Sequence, residues 1–298
     1  MPNLVTIQLA GKLLELFTRD HPEWGARQMA RALELPKSSA HQMLASLEAI
    51  GLLHRMVTGR YRLGFRLLTL SQNLLVNTPW RDVAHRGLVQ LGAALRQTVH
   101  LAVLDGGNLI YIDKLLGSDP VAVRSAHTNL GNACNPHSSA LGRTLLASKS
   151  WRVVTASLER HGGLHANTRY TITDLEAFKN ELNQIARQGF ALDLEESRQE
   201  VCCFAAPIRN HNGDVIAAIG TSIISTRALG VDADTHDIIF KTANQISRSI
   251  GFDPEFVTHN RTQARLMGRT GDPKVKEFLS CGDTSELNFK QPAQSHRL

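Results

Sequence analysis

The stretch that most limits what this chain can become is PKSSAHQMLASLEAIG, residues 36–51. Ala40, Met43, Leu44 and Leu47 recur at i, i+3, i+4 and i+7, so a helix here has one apolar stripe to bury. The opposite face carries Lys37, Ser38, Ser39, His41, Gln42 and Ser46, groups that exchange hydrogen bonds readily. Upstream, Ala26, Met29, Ala30 and Leu33 form a second short stripe, interrupted by Glu34-Leu35-Pro36. Two short amphipathic helices around a tight break are either an ordinary helical hairpin or a helix-turn-helix whose second helix enters the DNA major groove. The next residues favour the second reading. Leu53, Arg55 and Val57 lead into a Thr58-Gly59 turn, and Tyr61 and Leu63 lead out, which predicts a compact hairpin. Arg55, Arg60 and Arg62 lie on or beside it, placed as a wing to meet phosphates or the minor groove.

A chain of 298 residues is too long for that module alone and points to two domains. Residues 1–80 hold nine Lys and Arg against five Asp and Glu, whereas residues 81–253 hold seventeen of each. The positive excess sits with the helix pair, as phosphate neutralisation requires. No apolar run approaches a membrane span, and MPNLVTIQLAGKLLELF lacks the basic start and small-residue cleavage site of a leader. The expectation is a cytoplasmic chain without a membrane partner. Cys134, Cys202, Cys203 and Cys281 form no CxxC pair, and Gly162-Gly163 between His161 and His165 disfavours a metal-binding helix. Neither a metal nor a cofactor is expected.

Along the chain, Thr6 to Arg19 reads as a first helix with Ile7, Leu13, Leu14 and Phe17 inward. FRLLTLSQNLLV, residues 65–76, carries leucine on more than one narrow face. It predicts a linker helix that buries surface either on the first domain or against a second copy of itself. A long helix starts near Trp80. VHLAVL and LIYIDKLL then flank the Asp105–Asn108 turn as a hairpin. Helices are predicted around Ala140–Ser148 and Asp174–Gln188, strands over Phe190–Leu194, Cys202–Asn210 and Val215–Ile224, and a closing helix over Asp234–Gly251. Hairpins flanked by helices, without a βαβ rhythm, predict an α+β chain with a mainly antiparallel sheet. The domain plan is 4–64 for the winged helix-turn-helix, 65–79 for the linker, 80–252 for an α/β sensor-like domain, and 253–298 for a largely disordered tail with one short helix near Asp272–Leu279.

Three segments together resemble one family. LPKSSAHQMLASLEAIGLL followed by RYRLG is similar to the winged helix-turn-helix of the IclR-type transcriptional regulators. NPHSSALGRTLLAS resembles their effector-domain signature, and QGFALDLEESRQEVCCFAAPIRNHNGDVIAAIGTS resembles their second effector-domain block. The order and spacing fit over residues 4–252. The resemblance implies a C-terminal GAF-like effector-binding domain and a homodimer or tetramer that binds double-stranded operator DNA. It also implies a repressor of a metabolic operon that senses a small organic acid or related metabolite, often a carboxylate.

Carried over by position, the DNA-binding set is Lys37, Ser38, Ser39, His41, Gln42, Ser46, Arg55, Arg60 and Arg62. Gln42 stands where many members have Arg, and glutamine favours adenine where arginine favours guanine. The effector set is Val123, Ala126, Ser139, Ala140, Leu141, Asp193, Val201, Cys203, Gly220 and Ser222. The N–H groups opening the HSSALGR helix are expected to hold a carboxylate without a buried arginine. Gly220 stands where Ser is common and reads as one hydroxyl fewer, Glu200 replaces Gly before Val201, and Arg143 replaces Lys.

Two other classes compete. Cys203, His137 and Asp193 are the residue types of a cysteine hydrolase, and Ser139 with His137 those of a serine one. No nucleophile-elbow motif accompanies them, and a thiol in CCFAAPI is expected to be buried and inert. The chain is therefore not expected to be an enzyme. The other competitor is a sensor that binds a partner protein without DNA, against which the arginine-bearing wing argues.

Overall fold

In the computed structural model, which describes residues 4–117, 130–131, 133–224 and 233–254, the first helix is α1 (Val5–Glu15). Leu13 and, just past its end, Phe17 turn inward, but Ile7 is 66% exposed. The expected inward position of Ile7 is thus corrected: core contact begins only at Ala10, and the first turns of α1 stand clear of it. α2 (Ala26–Ala32) opens with the Gln28 side-chain oxygen accepting the Gly25 N–H at 3.1 Å. Glu34, at φ 53°, takes the break, and the Leu35 N–H closes it on the Ala30 carbonyl at 2.8 Å. α3 (Lys37–Ala49) then buries Ala40, Leu44 and Leu47. Each such leucine contributes roughly 1.5–3 kcal/mol over remaining exposed.

The hairpin of β1 (Leu53–Arg55) and β2 (Tyr61–Leu63) pairs Leu53 with Leu63. Trp24 fixes its position, exchanging backbone hydrogen bonds of 2.9 and 2.8 Å with Tyr61 while its indole donates to the Leu16 carbonyl at 2.8 Å. α4 (Arg66–Val76) follows and has no buried residue. The chain divides into two compact units between Pro79 and Trp80.

The second unit starts with α5 (Pro79–Leu95), then β3 (Thr98–Asp105), β4 (Asn108–Leu115) and the two-residue β5 (Ala133–Cys134). Three helices follow, α6 (Ala140–Leu146), α7 (Trp151–Arg160) and α8 (Leu175–Gln188). Asp174 caps α8 by accepting the Ala177 N–H at 2.8 Å. β6 (Ala191–Leu194), β7 (Val201–Arg209), β8 (Val215–Ile224) and α9 (Ala233–Ser249) complete it. The strands form one antiparallel sheet in the order β5-β4-β3-β8-β7-β6.

Period-two alternation supplies two cores. α5 and α9 pack Leu88, Leu91 and Ile239 against Val99, Phe204 and Ile219 on one face. α6, α7 and α8 pack Leu145, Leu158 and Phe178 against Ala102, Tyr111 and Ala205 on the other. Covering both faces explains why the strands read as nearly continuous apolar runs. The β3–β4 register shifts between Leu101 and Ala102, which sets Asp113 opposite Leu101. There it takes the His85 ring at 2.8 Å and Arg81 at 3.3 Å, tying the start of α5 to the sheet. Of the expected tail, residues from 255 on, including Asp272–Leu279, lie outside the described residues. Among the described residues no helix is long and apolar enough to cross a membrane, and no group of three or more His, Cys, Asp and Glu could hold a metal ion.

Candidate functional site

The first candidate surface follows from how α3 is docked. With Ala40, Leu44 and Leu47 against the core, Lys37, Ser38, Ser39, His41, Gln42 and Ser46 are all exposed. They are not equivalent. Ser46 turns back on its own helix, donating to the Gln42 carbonyl at 2.8 Å. The Gln42 side chain is exposed and makes no hydrogen bond among the described residues. On the wing, Arg55 and Arg62 are exposed, as is the whole of Val57 between the strands. Arg60 departs from the expected set. Its guanidinium donates to the Glu23 carbonyl at 2.9 Å and lies 3.6 Å from the Glu23 carboxylate, so it braces the wing on the segment before α2.

The second candidate lies on the sheet face under α6. Cross-strand pairing places Asp193 opposite Cys203 and Cys203 opposite Ser222, and paired residues share a face, so the three form a polar row over three strands. The Cys203 Sγ and Ser222 Oγ are 3.4 Å apart, and Ser222 Oγ is 3.3 Å from the His100 Nε2 of β3. The His100 ring meets Tyr111 of β4 edge-on at 5.5 Å. Val201 lies two residues before Cys203 on the same strand face, also buried. Ala140 and Leu141 are buried at the start of α6. Val123 and Ala126 lie outside the described residues.

Burial sets the protonation of this row. It lowers the His100 pKa to about 3, with the charge on Lys114 adding to the effect, so the imidazole is neutral at ordinary pH. It pushes the Cys203 thiol up, and Asp193 pushes it further. A neutral histidine beside a protonated thiol is the reverse of the thiolate–imidazolium pair a cysteine hydrolase needs. His137 is engaged elsewhere, its Nε2 at 2.9 Å from the His165 carbonyl, and burial lowers its pKa too.

Asp193 is more framework than open acceptor. It takes the Glu196 and Ser197 N–H groups at 2.7 and 3.2 Å and the Ser197 hydroxyl at 2.5 Å. Burial raises its pKa, and those hydrogen bonds oppose the rise. The turn they shape is held from outside as well, since Thr168 and Thr171 donate to the Glu195 and Glu196 carbonyls at 2.7 and 2.6 Å. Glu200 closes it at φ 63°, a left-handed conformation that explains why glycine suits the position before Val201.

The start of α6 is built from side chains that partner one another. Its serines are already occupied: Ser139 accepts the Gly142 N–H at 3.1 Å, and Ser138 accepts from the Asn167 amide at 2.8 Å. A buried arginine is also present. Arg143 is fully buried and grips the Glu196 carboxylate with two bonds of 3.0 and 2.7 Å, while also donating to the Leu192 carbonyl. Gly142 leaves room for the turn, since a Cβ there would sit 2.2 Å from the Pro136 carbonyl oxygen. Gly220 likewise reflects sterics before chemistry: its Cβ would lie 2.3 Å from the Phe204 oxygen, so a serine does not simply add a hydroxyl. His100, Tyr111, Arg143 and Glu196 were not among the expected site residues. The available signal for His100 was a lone ring nitrogen donor in the apolar run VHLAVL.

Comparison with known proteins sets these features beside others. Residues 72–248 match the family model described as "Bacterial transcriptional regulator IclR C-terminal", and residues 7–56 match the "IclR helix-turn-helix domain". The chain is similar to the HTH-type transcriptional regulator XynR of Escherichia coli K12, with 30% identity over 254 residues, 85% of this chain and 99% of that protein. It is similar in structure to the IclR of Thermotoga maritima, at 27% identity and TM-score 0.61 over 84% of this chain and 100% of that one. It is also similar to an IclR homolog from Microbacterium hydrocarbonoxydans complexed with 4-hydroxybenzoate, at 25% identity and TM-score 0.70 over 82% and 98% of the two chains.

Proposed function

The chain belongs to the IclR family of bacterial transcriptional regulators, and from that premise we propose that the outward face of α3 reads operator DNA while the polar row under α6 binds the metabolite that controls it. It is a ligand-responsive, DNA-binding transcriptional regulator. The DNA-reading part spans residues 4–64, the linker 65–79 and the sensing part 80–252, and the whole acts in the cytoplasm as a repressor of a metabolic operon. The homolog that holds 4-hydroxybenzoate supports a small organic acid as the effector. Two protomers present two α3 helices to successive major grooves, about 34–36 Å apart for half-sites one turn apart. Ligand acts by binding the DNA-competent and DNA-incompetent states unequally.

The observation that carries this reading is the split of α3 into a buried apolar stripe and an exposed polar face with Gln42 unengaged. Selection of operators from random duplexes tests it. Gln42→Arg is expected to move the consensus from adenine toward guanine at one position in each half-site, each good contact being worth about 1–3 kcal/mol of discrimination. The same consensus for both proteins would show that Gln42 reads no base.

A further inference from the structure

We propose that a segment of this chain's own C-terminal extension, Asp272–Leu279, docks in an apolar groove at one end of the second unit's sheet. The proposal is independent of the polar row under α6 and of what binds there.

The groove lies where β3 ends and β8 begins, and it holds about 450 Å³. Trp80 at the start of α5, Leu104 of β3, Leu145 of α6 and Ile216 of β8 line it, with Lys149 and Asp214 beside them. Trp80, Leu104 and Ile216 pack on the two cores, yet each is only half-buried. Lys149 and Asp214 form no ion pair among the described residues. Apolar side chains with one charge of each sign suit an amphipathic segment that itself carries both signs.

The described chain ends next to this groove. After α9, the Phe252 N–H returns to the Ser247 carbonyl at 2.9 Å, and Ser247 Oγ accepts the Arg209 N–H at 3.0 Å. Gly251 packs on His211, a Cβ on the glycine falling 3.4 Å from that of the histidine. His211 belongs to the β7–β8 turn that carries Asp214 into the groove. The description stops three residues after Gly251, and residues 255–298 follow. They are an addition to the family pattern. The family match stops at residue 248, and the relatives compared above are matched over 98–100% of their own lengths by 82–85% of this chain.

Within the extension, DPKVKEFLS has the pattern the groove calls for. Asp272 and Pro273 are a helix start, and Val275, Phe278 and Leu279 recur at i, i+3 and i+4 as a narrow apolar stripe. On a helix Lys274 and Lys276 flank that stripe on its two sides, and Glu277 lies opposite. Docked by its stripe, the segment brings a lysine to Asp214 and covers Trp80 and Ile216. Reach is no obstacle: the residues between 254 and 272 extend to about 60 Å, more than the width of a domain this size. Tethering also presents the segment at up to about millimolar effective concentration.

Cys281, the one cysteine of residues 255–298, supplies the probe. Lys149→Cys and Asp214→Cys each place a thiol at the groove. Arg248→Cys places one on exposed surface in the last turn of α9, where the extension starts. Each full-chain variant is equilibrated at micromolar concentration in a glutathione buffer, and pairing with Cys281 in the same chain is read by non-reducing peptide mapping. Cys281 is expected to pair at least about 10-fold more with position 149 or 214 than with 248. Phe278→Asp should bring both groove positions down to the level of 248 and leave 248 itself no lower. Equal pairing at all three positions, or a groove preference that survives Phe278→Asp, overturns the proposal. Pairing found only between chains overturns it too, and gives the groove to a second copy.

Discussion

Arg143 shows how much one side chain can be asked to hold. Its two terminal nitrogens meet both oxygens of Glu196 and a third group, the Leu192 carbonyl, entirely inside the protein. Removing one partner from such a pair leaves a buried charge uncompensated, at a cost of roughly 3–5 kcal/mol. Arg143→Met is therefore expected to lower urea-unfolding stability by about that amount, and Arg143→Met with Glu196→Leu to recover most of it. A single variant within about 1 kcal/mol of the parent would mean the pair contributes little. Nothing in HSSALGR announces this burial. Cations mostly stay outside, and the partner stands 53 residues further along, past any local pattern. Tyr111 was hidden differently: LIYIDKLL identifies a strand by composition, but only the sheet register shows which face the phenol occupies.

Among the elements, α4 is the one whose surface is out of keeping with its surroundings. Phe65, Leu68 and Leu74 are 81%, 59% and 69% exposed, and no α4 residue is buried. Contiguous apolar surface of this kind marks association, and a second copy of the chain is the expected cover. Leu70→Lys with Leu74→Lys, one turn apart on one face, should reduce the proposed dimer or tetramer to monomer in sedimentation velocity at micromolar concentration, with the circular dichroism spectrum unchanged. An unchanged mass would move the interface elsewhere. Elements were legible where a local rule sufficed. α3 runs over Lys37–Ala49, bounded by Pro36 and Gly51, and the β3–β4 turn falls on Gly106-Gly107. α7 was not foreseen, because Val153, Val154 and Thr155 in succession mask a stripe made of Val154 and Leu158. β5, two residues long, has no period to read.

At the scale of the molecule, charge and contact range are both unevenly distributed. The positive excess of residues 1–80 lies with the helix pair, so operator binding should weaken linearly in log K against log salt. Arg62→Ala removes two cations from a dimer, which should flatten that slope by about 1.8 if both touch phosphate. Arg60→Ala, which loses the brace on Glu23, should leave the slope near that of the parent. The second unit depends on distant pairings instead. β3 lies between β4 and β8, and the Thr221 hydroxyl bonds the Thr98 carbonyl across 123 positions. During synthesis that strand pairing must wait. Once residue 79 has emerged, the winged unit has every residue it contains, whereas the sheet lacks its last strand, the central β8, until residue 224 follows. At about 5–20 residues per second the interval is about 7–30 s. For that time each new chain carries a complete winged unit beside an unfinished sheet, so a cell that makes many copies at once holds a short-lived population whose first unit is ahead of its second.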